Sequence, residues 1–420
     1  MTPSKGQASA DPASFALEAI DVADAELYST DTHWGFFERL RREAPVHFCA
    51  ESDFGPYWSV TRHADVIAVE KDPGTYSSAR GVVVGDPDPN FSVEGGFITM
   101  DGERHQAHRK VVQPIVSPRH LKRLEPLIRE RAVAILDALP VGETFDWVDR
   151  VSIELTTAML ATLFDFPYEE RRRLTFWSDM ATSSAEMVGS DRATRDERQA
   201  ALRECRDFFL ELARVRQAGS DSAPRDRLDF VTALANDAAT RDMPPREFLG
   251  TILLLIIGGN DTTRNSISGG VVALNEHPDE WRKLRARPAA IPNMVSEIIR
   301  WQTPLAHLRR VATRDAELAG QKIRAGQKVV LWYVSANRDE AVFDSPDSFQ
   351  IERANARQHL SFGIGVHFCM GSRLAELQLR VLWEEILRRF REVEVVGAPE
   401  RVRSNFVRGY GRLPVRVHRR

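Results

Sequence analysis

The sequence predicts a mainly α-helical protein with a small β-sheet region. Most apolar residues recur at helical spacing, and one such pattern runs from Pro245 to Glu276 without an internal proline. Only short stretches are enriched in β-branched and aromatic residues. With 43% apolar and 28% charged residues, the chain can bury a large core. We expect a disordered segment over residues 1–14 and one domain over residues 15–420.

Seven segments carry apolar residues at intervals of three and four, which predicts helices. In chain order they span 32–43, 118–139, 151–163, 197–216, 245–276, 292–301 and 372–390. Strands are predicted at 57–61 and 328–334, and a hairpin at 317–330 has its turns at Ala319-Gly320 and Ala325-Gly326. The turn-rich stretch 81–96 is predicted to be a long loop of the kind that often serves function.

Charge and composition exclude several classes of function. A net charge of -3 and a pI near 6.4 offer no electrostatic reason to bind nucleic acid or an anionic membrane. The most apolar run, Ile252 to Ile257, is far shorter than the roughly 20 residues of a membrane-spanning helix. The polar N-terminus does not resemble a secretory signal, and three widely spaced cysteines suggest a reducing compartment. We therefore expect a cytoplasmic monomer that binds neither nucleic acid nor membrane.

One of these cysteines lies in the glycine-punctuated loop FGIGVHFCMG, just before the helical pattern that starts at Ser372. The free N–H groups and the dipole of a helix N-terminus favour a thiolate at Cys369. The residues alone leave three alternatives: an inert buried cysteine, a nucleophile with His367 as its base, or a metal ligand.

The long central helix has an unusual middle, GGNDTT, at residues 258–263. Two glycines and a carboxyl group are costly in a buried helix unless they have a purpose or partners. A structural explanation is close helix packing at Gly258-Gly259, with the Thr262 hydroxyl bonded back to the Gly258 carbonyl. Such a bond also opens a groove in the helix.

The cysteine loop resembles the haem-binding loop of the cytochrome P450 superfamily, whose signature is Phe-x-x-Gly-x-x-x-Cys-x-Gly. The resemblance implies the cytochrome P450 fold, with haem b sandwiched between the long central helix and the helix after the cysteine loop. It makes Cys369 the axial thiolate and the metal ligand. The residues that it implies for cofactor binding are His105, Arg109, Arg310, Phe362, His367 and Cys369.

The same resemblance gives roles to other motifs. Glu297 and Arg300 match the family's Glu-x-x-Arg pair, and Arg353 completes a structural network. GGNDTT matches the oxygen-activating motif, so Asp261 and Thr262 are the implied catalytic residues, with Asp261 gating protons and Thr262 holding a water. Alternatively, Asp261 is locked in a salt bridge with an arginine, which leaves Thr262 alone on the proton path.

Segments such as IPNMVSEIIRWQTPLAH are similar to those of the soluble bacterial terminal alkane hydroxylases of this superfamily. This implies insertion of one atom of O2 into the terminal C–H of medium-chain alkanes or fatty acids. Electrons are then expected from NADH through a ferredoxin reductase and a two-iron ferredoxin. The expected substrate pocket comprises Leu255, Gly259, Leu305, Leu308 and Phe406.

Other functions and surfaces remain open at this point. The alternatives are hydroxylation of a sterol side chain or terpene, and a haem sensor without turnover. We expect the substrate entrance at the 81–96 loop. A basic group is either an ordinary solvated face or the docking site for an acidic ferredoxin; it comprises Arg109, Lys110, Arg119, Lys122, Arg123 and Arg373.

Overall fold

A computed structural model describes residues 6–87, 95–218 and 228–420. Its helices account for most of the ordered chain, and we number them α1 to α15. They are Glu26–Ser29, Trp34–Glu43, His63–Glu70, Gly102–Val112, Pro118–Asp137, Glu154–Phe164, Arg172–Ala181, Ala185–Val188, Arg195–Ala218, Phe230–Asn236, Pro245–Glu276, Pro278–Ala286, Ile291–Gln302, Tyr333–Ala336 and Ser372–Arg389.

The strands form small sheets at the edges of the helical body. Numbered β1 to β12, they are Val46–Cys49, Tyr57–Val60, Tyr76–Ser77, Thr144–Asp146, Leu308–Ala312, Ala316–Leu318, Gln321–Ile323, Lys328–Leu331, Phe390–Val395, Glu400–Arg401, Tyr410–Arg412 and Pro414–Arg419. The largest sheet has the order β1-β2-β8-β5-β3, in which only β2 and β8 run parallel. A three-stranded sheet, β4-β12-β9, and the pairs β6-β7 and β10-β11 complete the set. The mainly α-helical class with a small β-sheet region expected from the sequence is thus observed.

The central helix α11 organises the core. At 1.5 Å per residue its 32 residues extend about 48 Å, and most of its side chains are buried. Its neighbours include α6, α7, α13 and α15, so it is enclosed on most sides. This explains why its middle is apolar around the whole circumference. Any polar group in that middle must find its partners within the protein.

The predicted helices all occur, with ends that differ by at most three residues, and Pro245–Glu276 matches at both ends. The predicted hairpin turn occurs between β6 and β7, where Ala319 and Gly320 both have positive φ. The strand predicted at 328–334 is wrong in its second half, because the chain bends after Leu331 into α14. The segment is buried on all sides, and a buried strand and a buried helical turn are equally apolar, so composition could not distinguish them.

The N-terminal segment is also more ordered than the sequence suggested. Residues 1–5 lie outside the described part of the chain, but Gln7–Ser9 and Pro12–Ser14 form short 3-10 helices. The Arg39 guanidinium donates to the carbonyls of Pro12 and Phe15 at 2.6 Å each. The polar composition of this stretch gave no sign of that anchor.

None of the helices in the described ranges is both long and apolar enough to cross a membrane.

Candidate active site

A cavity of about 400 Å³ lies between α11 and the loop that carries Cys369. All the cofactor-binding residues expected from the sequence line it, as do Thr262 and the expected substrate-pocket residues: His105, Arg109, Arg310, Phe362, His367, Cys369, Leu255, Gly259, Leu305, Leu308 and Phe406. Asp261 does not line the cavity. The structure thus brings together residues from distant parts of the chain, while the chemical roles assigned to them stay predictions.

The cysteine loop folds tightly back on itself. The backbone N–H of Cys369 donates to the Phe362 carbonyl at 2.8 Å, and Gly363 and Gly365 have φ of 64° and 71°, values that a side chain would strain. Burial raises the pKa of the Cys369 thiol, while the backbone N–H groups of Gly371 and Ser372 and the charge of Arg109 act in the opposite direction. The sulfur is therefore held where an added cation would make the thiolate the favoured form.

Cations and ring nitrogens gather at one end of the cavity. Arg109 donates to the Phe368 carbonyl at 2.5 Å, and the rings of His105 and His367 lie 4.2 Å apart between centroids. Burial lowers the pKa of both histidines, that of His367 to about 3. The Nε2 of His105 is buried and has no hydrogen-bond partner among the described residues.

These groups fit the haem that the resemblance implies. The Cys369 thiol matches an axial ligand, and Arg109, Arg310 and the unpartnered His105 nitrogen match two anionic carboxylates. Apolar side chains, Phe362 among them, form much of the remaining wall. Cys369, His105, Arg109, Arg310 and His367 would hold the cofactor.

The α11 wall of the cavity contains the Thr262 side chain. The Thr262 hydroxyl donates to the Gly258 carbonyl at 2.7 Å, which is the back-bond expected from the sequence. The two glycines differ: a Cβ on Gly259 would come within 2.7 Å of Leu160 on α6, whereas a Cβ on Gly258 would meet nothing within 4 Å. Only Gly259 permits close helix packing, and Gly258 leaves open space.

Asp261 faces away from the cavity and is completely buried. Its carboxylate accepts from Arg264 at 2.7 Å and from the Ser178 hydroxyl at 3.0 Å. Burial raises the pKa of Asp261, and the charge of Arg264 opposes that shift. Of the two arrangements that the sequence left open, the structure has the ion pair.

The ion pair of Asp261 and Arg264 is connected to the protein surface by further charged residues. Arg264 also donates to Asp179 at 2.9 Å, and Asp179 pairs with Arg192 at 3.4 Å. The Asp179 side chain is 21% exposed, whereas Arg264 is 5% exposed. Polar groups therefore connect Asp261 with solvent through α7, a connection that no spacing in the sequence indicates.

The ion-pair network of Glu297 lies away from the cavity, and its charged groups are paired with one another and with backbone carbonyls. Arg300 binds both oxygens of Glu297 at 2.7 and 2.8 Å, and Arg353 binds the same carboxylate at 3.0 Å. Arg300 also donates to the carbonyls of Asn337 and Pro346. None of the three charged residues lines the cavity, which agrees with a structural role.

The rest of the cavity wall is largely apolar, and most of it comes from segments whose contribution the sequence did not reveal. It includes Phe97, Leu160, Leu163, Met187, Val188, Leu202 and Phe230. These residues belong to separate helices and loops, and only tertiary packing brings them together. Residues 88–94 of the expected entrance loop lie outside the described part of the chain, but Val82, Val83, Pro87 and Gly95 on either side line the cavity.

The basic group predicted for docking is largely on the surface. Lys110, Arg119, Lys122, Arg123 and Arg373 are exposed and form no ion pair with any described residue. Arg109 is half-buried and lines the cavity. Beside Cys369, the side chains of Val366 and Phe368 are also more than 40% exposed.

Comparison with known proteins agrees with this geometry. The family model for cytochrome P450 matches residues 30–287 and 290–407. A solved structure of cytochrome P450-153 from Novosphingobium aromaticivorans is 45% identical, with a TM-score of 0.88 and coverage of 95% of this chain and 99% of that chain.

Two curated relatives extend the comparison. Linalool 8-monooxygenase of Pseudomonas putida is 37% identical over 414 residues, which cover 95% of this chain and 99% of the relative. Methyl-branched lipid omega-hydroxylase of Mycobacterium bovis is 31% identical over 421 residues, which cover 94% of this chain and 95% of the relative.

Proposed function

This chain belongs to the cytochrome P450 family and is a haem-dependent monooxygenase, and we propose that it hydroxylates the terminal carbon of uncharged medium-chain aliphatic molecules, above all alkanes. Cys369 would hold haem b, which when bound would supply an iron able to activate O2. The relative named an omega-hydroxylase supports attack at a chain end.

The largely apolar cavity wall outside the expected cofactor site is the observation that supports an uncharged substrate. Among the described lining residues the charged side chains are Glu70, Arg109 and Arg310, and the two arginines belong to the expected cofactor site. The Thr99 hydroxyl donates to the carbonyls of Gly95 and Gly96, and the Thr182 hydroxyl donates to that of Ser178. A fatty-acid carboxylate would therefore lose its hydration without a cation in return, whereas an alkane gains about 0.8 kcal/mol per buried methylene.

Terminal attack is a problem of positioning, because a primary C–H bond is stronger than a secondary one. The enzyme must present the end methyl to the reactive centre and keep the internal methylenes away. Leu305, Leu308 and Phe406 are bulky, line the cavity and can narrow the approach. Leu305 is fixed by a bridge to Val407, so this wall is tied to the last loop of the chain.

Proton delivery to the cavity is the role that we infer for residues in the middle of α11. Because the Thr262 hydroxyl gives its proton to the Gly258 carbonyl, its oxygen remains free to accept a hydrogen bond from a water in the cavity. We infer that Thr262 holds this water and that Asp261, when it separates from Arg264, passes a proton toward it. Asp179 and Arg192 would connect Asp261 to solvent.

We infer that an acidic two-iron ferredoxin, reduced by NADH through its reductase, binds the exposed basic residues near the cysteine loop. Opposite charges accelerate such an encounter, and salt screens them. Arg373→Glu should lower the rate of reduction by ferredoxin and weaken its dependence on salt. Lys322→Glu, an exposed change on β7, is the matched control and should do neither.

The test of the substrate is a product analysis with octane, dodecanoic acid and linalool, using the purified protein with ferredoxin and its reductase. We expect 1-octanol as the main product from octane and slow conversion of dodecanoic acid. Octane oxidised only at internal carbons would refute terminal attack, and preference for dodecanoic acid would refute the uncharged substrate.

The remaining outcomes separate the alternatives. Preferred conversion of linalool would favour a terpene hydroxylase, for which the Pseudomonas putida relative is the supporting observation. A thiolate-type carbon monoxide spectrum without any product would favour a haem sensor. Cys369→Ala should abolish that spectrum, and its survival would place the iron ligand elsewhere.

A further inference from the structure

A buried carboxyl group, that of Glu70, lies at the cofactor end of the cavity. Glu70 is the last residue of α3, and its side chain is 1% exposed. The C-terminal end of a helix carries a partial negative charge, so local electrostatics oppose a carboxylate at this position. Burial adds a desolvation cost that only good partners can offset.

Two partners meet at one oxygen of this carboxylate. Its Oε1 accepts from the Tyr333 hydroxyl at 2.6 Å and from Nη2 of Arg310 at 2.9 Å. Nη1 of Arg310 donates to the Arg309 carbonyl at 2.8 Å. These bonds fix the Arg310 guanidinium before any ligand arrives, and its remaining N–H groups are available to one.

The backbone of Glu70 also contacts the cysteine loop. A Cβ on Gly365 would come within 2.7 Å of the Glu70 carbonyl oxygen, and a Cβ on Gly363 would come within 3.9 Å of its carboxylate. Glu70 thus lies against the loop that carries Cys369. Both Glu70 and Tyr333 line the same cavity as Arg310.

The charge balance of the cavity depends on Glu70. Among the described lining residues, Arg109 and Arg310 are cationic and Glu70 is the one carboxylate. Haem has two carboxylates. Glu70 neutralises part of the positive charge of Arg310, and that charge would otherwise balance one haem carboxylate. In a poorly hydrated site this excess of negative charge favours the more positive, ferric state of the iron.

We propose that Glu70 is a positioning residue of the haem site, which holds Arg310 for a haem carboxylate and whose negative charge lowers the reduction potential of the iron. This rests on the haem binding assigned to the family and not on the identity of the substrate. No contact between Glu70 and substrate is involved.

The test is a spectroelectrochemical titration of the purified haem protein. Glu70→Gln keeps the shape of the side chain and an acceptor oxygen but removes the charge, so the midpoint potential should rise. Glu70→Asp keeps the charge and should restore a midpoint close to that of the wild type. Glu247→Gln is the matched control, because the Glu247 side chain is likewise buried, at 5% exposure, and pairs with Arg104 without lining the cavity.

A second measurement tests the hold on Arg310. Glu70→Ala removes both bonds, and transfer of haem to apomyoglobin should become about tenfold faster, as for other groups that orient a cofactor ligand. Transfer at the wild-type rate would overturn the positioning role.

The remaining outcomes are equally decisive. An unchanged midpoint in Glu70→Gln, or an equal rise in Glu247→Gln, overturns the role of the charge. If Glu70→Gln does not fold, Tyr333→Phe is measured in its place. Loss of the Tyr333 hydroxyl removes a donor to the Glu70 carboxylate, so the negative charge is less shielded and the midpoint potential should fall. An unchanged midpoint potential would contradict the proposal. A wild-type protein without a thiolate-type carbon monoxide spectrum would instead refute the haem-thiolate assignment.

Discussion

Two buried ion pairs share one sequence pattern and differ in almost everything else. Glu297 and Arg300 on α13, like Asp261 and Arg264 on α11, are an acid and an arginine three residues apart, and both carboxylates are fully buried. A third pair with this spacing, Asp279 and Arg282 on α12, is 72% exposed at both side chains. The spacing alone therefore indicates neither burial nor role.

The difference lies in what surrounds each carboxylate. Glu297 is held by Arg300, by Arg353 and by the backbone N–H of Gln350, so its oxygens are committed. Asp261 has one cationic partner, Arg264, which it shares with Asp179; the Ser178 hydroxyl on α7 and the neighbouring Asn260 amide also donate to it. Glu297 is thus held by two arginines and a backbone N–H, whereas Asp261 has one arginine that is itself shared with a partly exposed acid.

Removing the Glu297 charge should have the largest effect. Glu297→Gln leaves two buried guanidinium groups without their anion, and we expect the free energy of unfolding to fall by about 3–5 kcal/mol. Urea unfolding followed by circular dichroism measures it. Glu352→Gln, at a pair with Arg287 that is exposed to solvent, is the control and should cost less than about 1 kcal/mol. Equal losses would remove the distinction between buried and exposed pairs.

Asp261→Asn should affect turnover more than folding. Arg264 retains Asp179, so the structure persists, but the acid that we propose to pass a proton toward the water held by Thr262 is gone, and we expect about 100-fold slower product formation. Product and NADH are measured together. Thr262→Ala should instead keep NADH consumption and release hydrogen peroxide in place of product.

The control for Asp261→Asn is Asp279→Asn, which removes the acid of the exposed pair. It should leave product formation and NADH consumption at the wild-type values. Full activity in Asp261→Asn would show that this ion pair, like that of Glu297, only supports the fold.

The pH dependence of stability sharpens the comparison further. Because burial raises the pKa of Asp261, the folded protein holds a proton there at pH values where the unfolded chain has released it. This contribution is present below the ordinary carboxyl pKa and is lost as pH rises through the raised pKa. The stability of the wild type relative to Asp261→Asn should therefore decline as pH rises above the ordinary carboxyl pKa. A constant difference in urea titrations would contradict the shift.

The smallest effect is expected at the hydroxyl from α7. Ser178→Ala removes one hydrogen bond to Asp261 and should cost about 1 kcal/mol in unfolding free energy. Ser183→Ala is the control on the same stretch of chain, since the buried Ser183 hydroxyl donates to the Met180 carbonyl and not to Asp261, and Ser183 does not line the cavity. Only Ser178→Ala should alter the coupling of NADH use to product.

Sequence reasoning was most successful where a local signal determines a local structure. The ends of α11 follow from Pro245 and from the end of its apolar pattern, and the cysteine loop follows from its glycines. The residues expected at the cofactor site could be named because a family motif specifies each position, and they line one cavity. The bend after Leu331 was missed because a buried strand and a buried helical turn are equally apolar.

The apolar wall and the partners of Asp261 could not be found in this way. Phe97, Met187 and Phe230 are ordinary apolar residues in the sequence, and only packing gathers them at one cavity. Ser178 and Asp179 are 83 and 85 residues from the groups that they bind on α11. No periodicity encodes such a distance, and the same holds for the contact between Glu70 and Arg310.

The division of the cavity has a consequence for how such a protein can diverge. Cys369, Arg109, Arg310 and Thr262 lie on the cysteine loop, α4, β5 and α11, whereas much of the apolar wall comes from loops and from helices such as α9 and α10. Substitutions in the second group can reshape the space for substrate and leave the first group in place. An ancestral enzyme with this division could acquire new substrates through a few substitutions that have little effect on stability. Its descendants would share a reaction while differing in the molecules that they oxidise.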